Sequence, residues 1–399
     1  MERRDCPVKW IFVILFLGLQ LPAAVWTAKV DWDDGTEQAY SDWVSRSWTN
    51  DVFTNPESAL FGLKTDCADA SYAMRAFYAF QNNLPVDFHR YDGVKIDQTM
   101  SSFDHIADPV ARFRAYLNYV FDVTDTQTLS RDTYPIDINR EAIRAGIVYV
   151  SPGIHSYQIT GLDQYGITKT LSSTVPREQR LLFNHYGFPF YIPQDSKKYS
   201  DGFRAFKTGR KNTQQPSSLE QYKIGESAKG DFIAYQEKMI QKLQIKTEPF
   251  DHRITRIKGN LCFFSRERAV LVADAFVAKN KIGNSCFGAA AFDVYSTYIR
   301  DEKLKKYFVE LKNMTKSPVW ALTQQEAKKS LLSTFLMEIP DNDCTVETSL
   351  PAKPFLRLAE IFKAMEDGKI ISDPNANMLQ RWGLEPYQPF CPIYYELAP

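Results

Sequence analysis

The chain has 399 residues, of which 44% are hydrophobic and 14% aromatic, so it can form ordinary packed cores and is not an intrinsically disordered protein. Its 48 Lys and Arg residues balance its 48 Asp and Glu residues, and zero net charge argues against a protein that coats nucleic acid or an anionic membrane surface. The length predicts two domains, or one large domain with insertions.

The N-terminus has the pattern of an export signal. Three basic residues precede an apolar run over about residues 10–25, and a basic segment before a short apolar one is typical of a signal peptide. A membrane-spanning helix needs roughly 20 apolar residues. We predict that residues 1–28 are a signal peptide, cleaved after Ala24 or Ala28, or an uncleaved anchor. The protein is then exported, periplasmic or secreted, and meets a membrane only through this segment.

Helical patterns follow a polar lead-in over residues 29–65. Apolar residues spaced by three and four predict a helix from 66 to 82, with Asp66 as its N-cap. A second apolar face predicts a helix over residues 108–121.

Strand patterns begin near residue 147. The run over 147–150 predicts a strand, and the alternating segments 154–162 and 167–171 predict a β-hairpin around the turn Asp163-Gln164-Tyr165-Gly166. A turn centred between Gln164 and Tyr165 pairs position 174 with position 155.

A polar stretch separates the two halves of the chain. It predicts a linker over residues 201–216, between an α+β domain over 29–200 and a helical domain over 217–399. Within the second half, Ser265 precedes an apolar periodicity and is predicted to cap a helix.

The cysteines are divided unequally between the halves. Apart from Cys6 in the signal, Cys67 stands alone in the first half, and the second half holds Cys262, Cys286, Cys344 and Cys391. Exported chains oxidise their thiols in pairs, so the four predict two disulfides, in any of three arrangements. Cys67 is then a reactive thiol, an inert buried one, or a partner for a second chain.

Cys67 directly follows the predicted N-cap Asp66. A helix N-terminus favours thiolate over thiol, which lowers the cysteine pKa, and its backbone N–H groups can donate to an oxyanion. Among the five histidines, His155 opens the predicted hairpin, where a rigid strand could hold its ring beside the sulfur. The spacing of residues predicts no metal site and no phosphate-binding loop.

These residues carry a family resemblance. The string Lys64-Thr65-Asp66-Cys67-Ala68-Asp69-Ala70 before a helix, and Gly153-x-His155 opening a strand, resemble the transglutaminase-like and NlpC/P60-like branches of the papain-like cysteine enzymes. The resemblance covers roughly residues 60–175. It implies a helix bearing Cys67 packed on an antiparallel sheet, acyl-thioester chemistry and no cofactor.

The third residue of the predicted catalytic group departs from the usual pattern of these families. Such families usually place an acid or amide on the strand after the histidine, whereas Asp163 falls in the turn, roughly 26 Å along the strand from His155. Thr174 is expected opposite His155, with Ser172 diagonal on the same face. The candidate catalytic residues are therefore Cys67, His155, Thr174 and Ser172.

The predicted fold is an α+β papain-like core followed by a mostly helical, disulfide-stapled domain. The predicted function is an exported thiol enzyme that acts on amide bonds, as a peptidase, an amidase or a transglutaminase-type acyltransferase. Its expected partner is a peptide or protein substrate, such as peptidoglycan peptide, and not nucleic acid. The alternative is an inactive fold of this family that serves as an extracytoplasmic binding or scaffold module.

Overall fold

A computed structural model describes residues 24–188, 191–193, 199–207, 220–341 and 343–394. Residues 1–23, which hold Cys6 and most of the predicted signal, lie outside the described residues. Across the described ranges, no helix has the length and apolar character needed to cross a membrane.

The segment before α1 is described from residue 24, which falls inside the range predicted as signal peptide. Val25 and Trp26 are buried, the Val25 amide donates to the Gln98 carbonyl at 2.8 Å, and Trp26 Nε1 donates to the Leu84 carbonyl at 2.9 Å. These two residues belong to the folded core. Of the two predicted cleavage positions, the one after Ala24 leaves this core intact and the one after Ala28 removes part of it.

Among the described residues of the first half, four α-helices and a short 3-10 turn form the helical part. They are α1 (Asp34–Ser47), α2 (Cys67–Gln81), α3 (Pro109–Val123), α4 (Thr126–Arg131) and the 3-10 turn Ser101–Phe103. The predicted start of α2 is confirmed: Asp66 Oδ1 accepts from the Ala68 and Asp69 amides at 2.9 and 3.1 Å, and Asp69 Oδ2 accepts from the Asp66 amide at 2.9 Å. This reciprocal capping fixes the residue at which the helix begins.

The strands of the first half form one large sheet and one small hairpin. They are β1 (Phe88–His89), β2 (Lys95–Ile96), β3 (Thr133–Pro135), β4 (Val148–Ser151), β5 (His155–Leu162), β6 (Thr168–Ser172), β7 (Phe183–Tyr186) and β8 (Gly202–Phe206). β1 pairs with β2, and the other six form an antiparallel sheet in the order β3-β8-β4-β5-β6-β7. The predicted α+β class with an antiparallel sheet and the predicted β5–β6 hairpin are both confirmed.

The predicted linker over 201–216 is wrong for residues 202–206, because these form β8 between β3 and β4. The Phe203 amide also donates to Gln221 Oε1 of the next helix at 2.8 Å. A five-residue strand among polar neighbours has too weak a local pattern to be recognised, and its partners β3 and β4 lie far away in sequence. The remainder of the predicted linker, from residue 208, lies outside the described residues.

The second half is mostly helical, as predicted. Its elements are α5 (Glu220–Ala228), α6 (Phe232–Leu243), α7 (Phe250–Ile282), α8 (Ala289–Tyr295), α9 (Tyr298–Met314), the 3-10 turn Pro318–Leu322, α10 (Gln325–Leu332), the strands β9 (Thr345–Glu347) and β10 (Phe355–Arg357), α11 (Leu358–Glu366) and α12 (Met378–Arg381). β9 and β10 pair antiparallel. The predicted cap at Ser265 is wrong: it is buried in the middle of the 33-residue α7, whose apolar face continues on both sides of it.

Two disulfides close the second half. Cys262 of α7 pairs with Cys344 just before β9, and Cys286 after α7 pairs with Cys391 near the C-terminus. The structure thereby selects one of the three arrangements. Disulfides form and persist in oxidising compartments, so the two pairs indicate a non-reducing, exported environment.

The two faces of the large sheet are covered by different halves of the chain. Ser156 and Gln158 of β5 bond to α2, with Gln158 Nε2 donating to Ser71 Oγ at 2.9 Å. Side chains alternate along a strand, and Tyr157 and Ile159 pack on the other face with the buried residues of α7 and α9. The sheet is therefore enclosed between α2 of the first half and the long helices of the second.

Candidate functional site

Cys67 is the first residue of α2, and its backbone is held against β5. Its carbonyl oxygen accepts from Ser156 Oγ at 2.8 Å and from Ser71 Oγ at 3.1 Å. The start of α2 is thereby fixed beside the start of β5.

The thiol is protonated at rest. Cys67 is 7% exposed, and burial raises the pKa of its thiol far above the ordinary value; the charges of Asp66 and Asp69 raise it further, while the Ser156 and Ala68 amides lower it. The lowered pKa predicted from the helix N-terminus is therefore wrong, because desolvation outweighs the backbone dipoles. Asp66 also occupies the Ala68 and Asp69 amides that were expected to serve an oxyanion.

His155 is the first residue of β5 and lies opposite Ser151 of β4. Its side chain shares the face of Tyr157, and the two ring centroids are 4.5 Å apart in an edge-on contact. The Tyr191 ring lies 6.2 Å from the imidazole. Burial holds the pKa of His155 well below its usual range, and the positive charges of Lys303 and Arg300 lower it further. The imidazole is therefore neutral, and its surroundings make it a weaker base than an ordinary histidine.

Cys67 and His155 both lie at the start of β5, where Ser156 Oγ bonds the Cys67 carbonyl and the His155 side chain lies with Tyr157 on the other face of the strand. Ser156, which bonds the Cys67 carbonyl through its hydroxyl, is the residue after His155. Among the interactions of the described residues, no hydrogen bond joins the Cys67 sulfur to the His155 ring.

Thr174 and Ser172 lie on the neighbouring segment. The hairpin pairs Gln158 with Leu171, after a register shift between Ile159 and Gly161, and its pairing does not extend to His155 and Thr174, so their expected opposition stays a prediction. Thr174 Oγ1, however, accepts from Arg300 Nη2 at 2.8 Å. Ser172 is buried opposite Phe183 of β7. The hydrogen bond that Thr174 accepts thus comes from the helical half of the chain.

Sequence reasoning missed the residues that α7 and α9 add to this place. Arg300 pairs with Glu267 at 2.9 Å and bonds Thr174. Lys303 Nζ donates to Tyr157 Oη at 3.3 Å. Arg300 and Lys303 are one turn apart and so share a helix face. That spacing is common on solvated helices, and nothing local distinguishes it from one.

No metal-ligand cluster accompanies the site: within the described ranges, His, Cys, Asp and Glu side chains form no group of three that could hold a metal ion. Comparison with protein-family models, with curated proteins and with solved structures finds no match to this chain.

Proposed function

We propose that this protein is an exported, thiol-dependent enzyme that acts on amide bonds through a papain-like arrangement of Cys67 and His155. The observation that carries the proposal is that Cys67, the first residue of α2, is held against the start of β5, the strand that His155 heads, by the hydrogen bond from Ser156 Oγ to the Cys67 carbonyl at 2.8 Å. A cysteine at a helix N-terminus and a neutral imidazole at the head of a strand are the parts that nucleophilic thiol catalysis needs.

The resting protonation states suggest how the reaction would begin. Both groups are neutral, so proton transfer would accompany attack: the His155 ring takes the thiol proton as the sulfur forms a bond to the substrate carbonyl carbon. The ring then returns that proton to the leaving amine as the C–N bond breaks. Water or a second amine releases the acyl group from the sulfur.

The compartment of the protein narrows the class of proposed substrates. Disulfides indicate an exported protein, so extracytoplasmic peptides, including peptide crosslinks of a cell wall, are the proposed substrates. Cys67 and His155 are 7% and 8% exposed, which is too little for a peptide to reach them. The side chains that cover these two residues must therefore move before substrate binds.

Alkylation rates of Cys67 test the proposal. Wild type, H155Q and the matched control H185Q, which alters another buried histidine, are treated with iodoacetamide from pH 5 to 10 and analysed by intact mass. We expect H155Q to slow alkylation near pH 8 by at least about tenfold, since general bases typically contribute more than this factor, and H185Q to resemble wild type. Identical rate profiles in wild type and H155Q would remove the enzyme proposal.

A binding or scaffold module remains the second candidate function. It is favoured by the protonated, buried thiol and by the engagement of the first-turn amides with Asp66. In that case C67A should retain full stability and ligand capture, and the alkylation profile should follow a buried, uncatalysed thiol. A disulfide from Cys67 to a second chain would require the same opening of the site, and a non-reducing gel of wild type against C67S tests it.

A further inference from the structure

A cavity of about 570 Å³ lies between β7, the last strand in the order of the large sheet, and α7 of the helical half. Ligand pockets commonly have volumes of about 300–1,000 Å³. One face of α7 forms a wall of this space, because Gly259, Phe263, Arg266 and Val270 follow each other at intervals of three or four residues. We call this space the β7 cavity.

The backbone of Asn184, which lines the β7 cavity, is unpaired on the side of β7 that faces away from β6. The Gly187 amide donates to the Thr168 carbonyl at 2.9 Å. Because hydrogen-bonded pairs alternate along an antiparallel ladder, Asn184 points its amide and carbonyl outward. The Leu182 amide points the same way and donates to the Asn50 carbonyl at 2.7 Å, whereas no partner for the outward Asn184 groups is found among the described residues. An unpaired strand edge is a template for another strand.

Gly259 leaves one wall of the β7 cavity open. It lies in the interior of α7 and is exposed, and apart from the backbone of its own helix a β-carbon at this position would have no heavy atom within 4 Å. Glycine is one of the least favourable residues in a helix interior. This position therefore sacrifices helix stability and keeps the cavity free of a side chain.

The charge of the β7 cavity is positive. The described residues that line it include Arg180 and Arg266 and no acidic side chain. Arg180 pairs with Asp274 at 3.2 Å. Arg266 is exposed, its Nε donates to the Thr345 carbonyl at 3.3 Å, and it has no acidic partner among the described ion pairs. A guanidinium of this kind favours a carboxylate, which it can bind through two parallel N–H groups.

We propose that the β7 cavity binds an extended peptide that carries a carboxylate. The peptide backbone pairs with Asn184 as an added strand, a mode of recognition used at exposed sheet edges. One peptide side chain lies over Gly259, and the carboxylate bonds the Arg266 guanidinium. The inference goes beyond the proposed function, because none of these contacts involves Cys67 or His155.

Calorimetric titration of the full chain with acetyl-Thr-Val-Glu-Val-Thr-amide tests the inference. The comparison ligands are the same peptide with Gln in place of Glu, the Glu peptide with every backbone nitrogen methylated, and N-acetylglutamate. We expect saturable binding of the Glu peptide to wild type. The other three ligands should bind at least about tenfold more weakly, since each lacks the charge-assisted hydrogen bond or the strand pairing.

Variants locate the binding within the β7 cavity. R266Q should weaken binding of the Glu peptide about tenfold and leave the affinity for the Gln peptide unchanged. G259L fills the cavity and should abolish binding of the Glu peptide. The controls are R46Q, which removes an exposed arginine of α1, and T255L, which adds a leucine to α7 one turn before the cavity. Both controls should bind as wild type does.

The absence of saturable binding to wild type would overturn the inference, and so would a Gln or N-methylated peptide that binds as tightly as the Glu peptide. N-acetylglutamate that binds as tightly as the Glu peptide would overturn it in favour of a site for a small carboxylate. Circular dichroism and thermal melting establish whether G259L folds. A folded G259L that binds like wild type contradicts the inference; if G259L does not fold, R266Q decides, and equal affinities of R266Q and R46Q for the Glu peptide contradict it. The proposed function fails separately, in the alkylation rates of H155Q.

Discussion

At the scale of single residues, His185 shows how strongly burial controls charge in this protein. It lies on β7 between Phe263 and Phe264, and neither ring nitrogen has a hydrogen-bond partner among the described residues. Burial lowers the pKa of His185 to about 3, and the charges of Lys303 and Arg256 act in the same direction. The folded state therefore binds fewer protons than the unfolded state, whose histidines titrate near pH 6.5.

The difference in proton binding between the folded and unfolded states gives the sign of the pH dependence of stability. Because the folded pKa lies below the unfolded value, stability from His185 is present above about pH 6.5 and is lost as the pH falls from there toward the folded pKa. Between pH 7.5 and 5.0 this residue alone should cost about 2 kcal/mol of unfolding free energy. We expect H185L to lose less unfolding free energy than wild type over this pH range. The stability of H185L still falls with falling pH, because the pKa of His155 is also held below its usual range.

Urea unfolding at the two pH values measures this difference. H105L, which alters an exposed histidine, is the matched control and should keep the wild-type pH dependence. A wild type and an H185L variant that lose equal stability would contradict the assignment of a neutral buried ring.

At the scale of elements, the N-terminus of α2 combines a cap with a charge that opposes thiolate formation. Asp66 accepts from the first-turn amides and also raises the pKa of the buried Cys67 thiol. Asn is as good a cap as Asp, whereas Ala is a poor one. The two functions of Asp66 can therefore be separated by substitution.

We expect D66N to keep the unfolding free energy within about 0.5 kcal/mol and D66A to lose about 1 kcal/mol. Both variants remove a negative charge beside the sulfur, so alkylation of Cys67 should shift to lower pH in both. Urea unfolding and the pH dependence of alkylation measure the two effects. An alkylation profile unchanged by D66N would show that the Asp66 charge does not act on the thiol.

The lead-in before α1 supports the first-half core. Trp26 makes edge-on contacts with Phe80, Phe113 and Tyr116 at 5.6–5.9 Å between ring centroids. We expect W26A to lose about 3–5 kcal/mol of unfolding free energy, which is typical of a large aromatic residue removed from a core. Intact mass of the exported protein should place its N-terminus at or before Val25. A stable mature chain that begins at Lys29 would contradict this role of the lead-in.

At the scale of the whole molecule, the two halves share a core. One contiguous cluster contains Ile159 and Phe203 of the sheet together with Ile257 of α7 and Tyr307 of α9. The domains predicted at 29–200 and 217–399 are thus joined by buried apolar contact, and the sheet depends on the helices to cover one of its faces. Without these helices the apolar face of the sheet would be exposed to water, and such exposure favours aggregation or a loosely packed state.

A fragment of residues 24–207 tests this dependence. We expect the full chain to unfold in one cooperative transition, and the fragment to bind a hydrophobic dye and lack near-ultraviolet circular dichroism, the signs of lost side-chain packing. A fragment that melts cooperatively at the temperature of the full chain would show that the sheet is stable without α7 and α9.

The parts predicted correctly are those with local causes. The caps and apolar spacing of α2 and α3 lie within a few residues of the elements they define, and the turn after Leu162 joins β5 and β6 into the predicted hairpin. β8 was not predicted because it depends on strand partners that are distant in sequence. The full length of α7 was not predicted because the helix continues through Ser265, a residue type that usually starts helices.

The sequence by itself determined the α+β class, the capped start of α2 at Cys67, the hairpin headed by His155 and the set of cysteines available for disulfides. Only the tertiary structure decided which cysteines pair, that Cys67 is buried and protonated, and that Lys303 and Arg300 lie beside His155. The physical reason is range: caps and turns act over a few residues, whereas desolvation and charge depend on groups brought together from positions more than a hundred residues apart.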